Sequence, residues 1–122
     1  MSKVAVPTVL IVPGLRDAHL HPVAYAAALQ RPSLKEAGDF AGIADIVASA
    51  AVTQPPGTAI TALRLDDEAL AEGRLPDRGF LDRVVPDRPV LLIRYCGHVS
   101  VANSAALAVA GIDETTADPP GG

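Results

Sequence analysis

Aliphatic and β-branched residues run unbroken over Thr8 to Val12, "TVLIV", between Pro7 and Pro13. Such a run predicts a strand over about 8–13 that is buried on both faces, as in a parallel sheet. "PVLLIR" (Pro89 to Arg94) repeats the signal, and "AITALRL" (Ala59 to Leu65) is a third strand candidate. Between them the period changes. "VAYAAALQ" (Val23 to Gln30) predicts a helix ended by Pro32. In "GDFAGIADIVASAAV" (Gly38 to Val52), Phe40, Ile43, Ile46 and Val47 share one helical face, with Asp39 as N-cap or first-turn acid. "TQPPGT" (Thr53 to Thr58) breaks that helix.

The later segments are shorter. "DDEALAEG" (Asp66 to Gly73) predicts a solvated acidic helix or turn, and Phe80 to Val85 one and a half helical turns stopped by Pro86. "YCGH" is a turn, and Ser100 to Ala110 predicts a last helix closed by Gly111. Strands alternating with helices make this an α/β chain with a mostly parallel sheet, read as a single region over 1–122.

Composition narrows the picture. Apolar residues are 49% of the chain but aromatics only 3%, so the core is built from small aliphatic side chains. A net charge of −4 leaves no basic patch for nucleic acid or an anionic membrane. The single cysteine, Cys96, excludes an intrachain disulfide and reads as a small buried hydrophobe at a strand end. With no signal peptide or membrane-spanning run, the expectation is a soluble, cytoplasmic protein.

Candidate chemistry centres on "RDAHLHP". On a strand, His19 and His21 face the same way, and two imidazoles at the carboxyl end of a buried strand begin a divalent metal site. Asp17 shares that face and either accepts from an imidazole N–H behind the ligands or starts the turn. Taken alone, H-x-H more often marks surface or capping histidines than a metal site.

The wider context is specific. "VPGLRDAHLHP" resembles the first-strand signature of the amidohydrolase superfamily. "EGRLPDRGFLDRVVPDRPVLLIRYCGHVSVANSAALAVAGI" and "DPPGG" are similar to its amidohydrolase-3 subfamily, which includes YtcJ-like proteins and N-substituted formamide deformylase. The resemblance extends from Val12 to Gly122 and is weakest over Lys35 to Ile60. It implies a metal-dependent hydrolase of non-peptide C–N bonds, acting through metal-activated water on a small amide-type substrate. It also implies a partial (β/α)8 TIM barrel, incomplete in this chain, which at 122 residues is about half the usual barrel length.

Carried over by residue, the resemblance makes His19 and His21 ligands to the more buried metal, a divalent ion expected to be zinc. It places His98 and Asn103 on the substrate side. Neither Lys3 nor Lys35 sits in a matching motif for the family's bridging ligand, and no residue is assigned as catalytic. Local readings stand beside these: His98 as a turn residue after Gly97, Asn103 as the N-cap of "SAALAVAG", and Arg94 as a partner for Asp87 or a substrate carboxylate. The alternative to an enzyme is an inactive truncated barrel. Its open sheet edges and uncovered apolar face favour a homo-oligomer or a bound partner.

Overall fold

The computed structural model describes residues 12–119. The strand expected over about 8–13 lies outside the described residues except for Val12 and Pro13, which have no regular structure. The element order is then α1 (Pro22–Leu29), α2 (Phe40–Thr53), β1 (Ile60–Leu65), α3 (Arg78–Val84), β2 (Val90–Arg94), β3 (Ser100–Ala102) and α4 (Ser104–Ala110).

Side chains set the helix ends. Pro22 occupies the first turn of α1, where a missing N–H leaves no bond unmade. Asp39 caps α2, its Oδ1 accepting from Gly42 N–H at 2.8 Å. Glu72 adds a second cap, accepting from Phe40 N–H at 3.0 and 3.2 Å, so this acid is tethered and not merely solvated. At the other end of α2, the buried Arg88 guanidinium donates to the carbonyls of Ala51, Pro55 and Thr58. Asp77 caps α3 through Phe80 N–H at 2.7 Å, which starts that helix two residues before the expected Phe80.

The sheet has the order β1-β2-β3. β1 and β2 run parallel, Ile60 opposite Val90, with α3 between them in the chain. β3 returns antiparallel to β2, Leu92 opposite Val101. The α/β class therefore holds, but the sheet is open and mixed where a mostly parallel one was expected.

The reason is in Ser100 to Ala110, which is not one helix. Gly97, with φ +76°, turns the chain back after β2, and Ser100–Ala102 joins the sheet before α4 begins. Alanine-rich composition concealed a three-residue strand whose stability comes from pairing with β2.

One face of the sheet carries the core. Ile60, Ala62 and Leu65 from β1, with Val90 and Leu92 from β2, are buried, as are Ile43, Val47 and Ala50 of α2 and Leu81 of α3. Strict alternation would put residue 64 on that face. Instead the pairing with β2 shifts between Leu63 and Leu65, and Arg64 takes a left-handed backbone, φ 66°. The bulge ejects the Arg64 side chain to solvent and returns Leu65 to the core. Without it a guanidinium would face aliphatic side chains, a cost of several kcal/mol for an unpaired buried charge.

Candidate metal centre

The two histidines do not lie on a strand. They sit in the irregular segment that leads into α1, and His21 is that helix's N-cap residue. The strand argument for their shared face is therefore replaced by a local one. Asp17 Oδ1 accepts the backbone N–H of His19 at 2.9 Å, closing a tight turn. His21 is held from the other side, its carbonyl accepting Tyr25 N–H at 2.9 Å. The two rings tilt together, centroids 4.9 Å apart at 60°. Their Nε2 atoms are 2.9 Å apart.

That separation is a test of fit. Two imidazole nitrogens about 2.0–2.1 Å from one ion, at angles of about 90–110°, stand roughly 2.9–3.4 Å apart. The pair meets this at its lower edge, and neutral imidazole nitrogen is a common ligand atom for divalent transition metals. The same approach is hydrogen-bond distance between the two rings, its direction set by the tautomer each ring adopts. The donor set is short, however. Among the described residues no group of three or more His, Cys, Asp or Glu side chains is placed to hold a metal ion. Asp17 Oδ1 accepts from the His19 backbone, the turn-starting alternative of the two expected for it.

His98 and Asn103 go elsewhere. His98 is exposed in the turn after β2, the local reading of that residue, and joins no three-residue ligand group with His19 and His21. Asn103 is 0% exposed, and its amide is fully engaged inside the protein. Its Oδ1 accepts from Val90 N–H and from Ala106 N–H, each at 2.9 Å. Its Nδ2 donates to the carbonyls of Val85 at 2.9 Å and Arg88 at 2.7 Å. The N-cap reading is the one the geometry realises, and no group is left over for a substrate.

A second polar cluster went unforeseen. Arg94, at the carboxyl end of β2, donates through Nε to Asp67 Oδ1 and through Nη2 to Glu68 Oε1 at 2.9 Å. It does not pair with Asp87. The guanidinium lies over the Tyr95 ring, 4.6 Å from its centroid. Its hydrogen bond holds the Asp67 carboxyl below its ordinary range, and Asp67 raises Arg94 further above its own. Cys96 is half-buried, not buried. Its thiol is drawn below its ordinary value first by the His98 backbone N–H and then by Arg94. The available signal was positional: an acid pair directly after one parallel strand and an arginine ending the next meet at the carboxyl edge of the sheet, the edge where α/β proteins bind ligands.

Comparison with known proteins places this geometry. The amidohydrolase family profile matches residues 9–122. The chain is 32% identical over 113 residues to Protein LONG AFTER FAR-RED 3 of Arabidopsis thaliana, covering 93% of this chain and 19% of that protein. It is 31% identical over 130 residues to the putative amidohydrolase YtcJ of Bacillus subtilis, covering 99% and 23%. With N-substituted formamide deformylase of Arthrobacter pascens it shares 32% over 114 residues, covering 92% and 21%.

Among solved structures, an uncharacterised metal-dependent hydrolase from Pyrococcus horikoshii superposes with a TM-score of 0.62 at 26% identity, over 82% of this chain and 19% of that one. Its counterpart from Pyrococcus furiosus gives 0.61 at 28%, over 85% and 20%. The chain thus spans about a fifth of the length of the relatives it matches, and its open α/β sheet corresponds to part of the metal-dependent hydrolase fold. With nearly all its residues matched to one family profile, the chain belongs to the amidohydrolase family.

Proposed function

We propose that this chain carries two metal ligands, His19 and His21, of a hydrolase that cleaves a non-peptide, amide-type C–N bond with water, and that the metal is zinc. The observation that carries the proposal is the 2.9 Å approach of the two Nε2 atoms within a family of hydrolases. A bound divalent ion supplies a Lewis acid that polarises a carbonyl and acidifies water. The chain's own residues fix the ligands. Asp17 holds the His19 backbone, and the first hydrogen bond of α1 holds His21. To hold the ion, both rings would present an unprotonated Nε2 to it.

The test is a zinc titration by calorimetry of the 122-residue protein and of the His19→Ala, His21→Ala double variant. Two histidines alone hold zinc weakly, so expected is binding weaker than about a micromolar, lost in the double variant. Tighter stoichiometric binding lost in that variant would mean that further ligands complete the cage. Equal binding by both proteins would reject the ligand assignment.

A second reading is favoured by two observations: the lack, among the described residues, of a three-ligand group, and the exposed apolar side chains Leu15, Val23 and Leu29. On that reading the chain is a non-catalytic module that associates with a second copy or a partner. Sedimentation velocity with and without zinc separates the two. Metal-independent self-association in a chain that binds no zinc supports the second.

A further inference from the structure

The edge of β1 not taken by β2 is met by the segment after α1. Leu63 N–H donates to Pro32 O at 2.9 Å, and Leu34 N–H to Leu63 O at 2.8 Å, so Ser33 forms a single parallel rung with Leu63. The bridge is isolated and lies beside the bulge at Arg64. Between α1, this rung and the bulge is a cleft of about 130 Å³, lined by Tyr25, Leu29, Arg31, Ser33 and Arg64 among others. Two arginines, both exposed, therefore border one small cleft in a protein of net charge −4.

Among the described residues neither forms an ion pair; those present engage Lys35, Arg74 and Arg94. Arg31 also borders the adjoining groove that contains Asp45, without an ion pair. Two like charges brought to one cavity repel, so the countercharge is left to solution. The choice of residue at 64 points the same way. A bulge with φ 66° is met at lower backbone cost by glycine, and here it is met by arginine. Tyr25 and Leu29 add aromatic and aliphatic surface to the same lining.

We propose that this cleft binds a small organic carboxylate, its anionic end between Arg31 and Arg64 and its apolar body against Tyr25 and Leu29. Guanidinium is suited to carboxylate because its planar N–H pairs match two oxygens. The volume is below that of pockets for drug-sized ligands, which limits the occupant to something near benzoate in size. The site is separate from the histidine pair and does not depend on metal.

The test follows amide chemical shifts of the 122-residue protein with benzoate, with the neutral isostere benzamide, and with inorganic phosphate. Expected is saturable binding of benzoate at or below about a millimolar, shifting residues 25–34 and 63–65, with benzamide at least about tenfold weaker. Arg31→Gln and Arg64→Gly each weaken benzoate about tenfold or more, while Arg78→Gln does not. Arg64→Gly keeps the fold, because glycine suits the left-handed backbone there, and its thermal melt is checked to be no lower than the parent's. Benzamide binding as well as benzoate, or unchanged affinity in both arginine variants, overturns the proposal. Phosphate binding tighter than benzoate at the same residues overturns the organic-carboxylate assignment.

Discussion

Asn103 ties the start of α4, the start of β2 and the loop before β2 together with one amide. Its oxygen caps α4 and takes the Val90 N–H at the start of β2, while its nitrogen clasps the carbonyls of Val85 and Arg88 before that strand. Replacement by alanine removes a helix cap and leaves a buried donor and two buried acceptors without partners. We expect Asn103→Ala to cost about 2–4 kcal/mol in urea unfolding. Asn103→Asp keeps the acceptor but loses both donations and buries a charge, so it too destabilises. A stable aspartate variant would mean that the carbonyl clasp contributes nothing. The cap was legible in the sequence, because asparagine before an alanine-rich run is a local signal. The clasp was not, since its partners lie up to 18 residues away and depend on the fold. Arg64 is similar: the run "AITALRL" shows a strand but not the bulge, which follows from the need to return Leu65 to the core.

At the scale of elements, α3 and α4 are tied by one carboxylate. Asp82 accepts from the Ser104 N–H at 2.8 Å and from its hydroxyl at 2.7 Å, the first turn of α4. These two hydrogen bonds, backbone first, hold the Asp82 carboxyl below its ordinary range. A carboxyl whose folded value is lowered adds stability that is complete above its unfolded value, about 3.9, and is lost as pH falls through the folded one. The gap in unfolding midpoint between the parent and Asp82→Asn is therefore expected to be constant near neutrality and to close below about pH 4. A gap that persists unchanged to pH 2 would detach the tie from the charge. Asp67 and Asp113 are lowered in the same direction and steepen the parent's acid limb. Where local signals were strong, as in α2 with its Asp39 cap and apolar face, element boundaries were readable to within a residue or two. β3 was not readable, because three residues pairing with β2 leave no periodicity of their own.

Across the whole molecule, order is unevenly supported. The core joins α2, β1, α3 and β2, whereas α1 buries no residue and exposes Val23, Tyr25 and Leu29. Helix α1 has only eight residues, too short to be stable in water without packing. It is tied to the body by the rung at Ser33 after it. Amide exchange should therefore open in stages, with 22–29 exchanging first and β1 and β2 last, near the global unfolding limit. Zinc gives this order a second use. If His19 and His21 hold the ion, their backbone is fixed at the point where α1 begins, since the His21 carbonyl receives the helix's first bond from Tyr25. Adding zinc should then slow exchange across 19–29 and leave β2 unchanged. Slowing spread evenly over the chain would indicate binding elsewhere or general association. No change, in a protein shown by calorimetry to bind zinc, would place the ion away from the histidine pair.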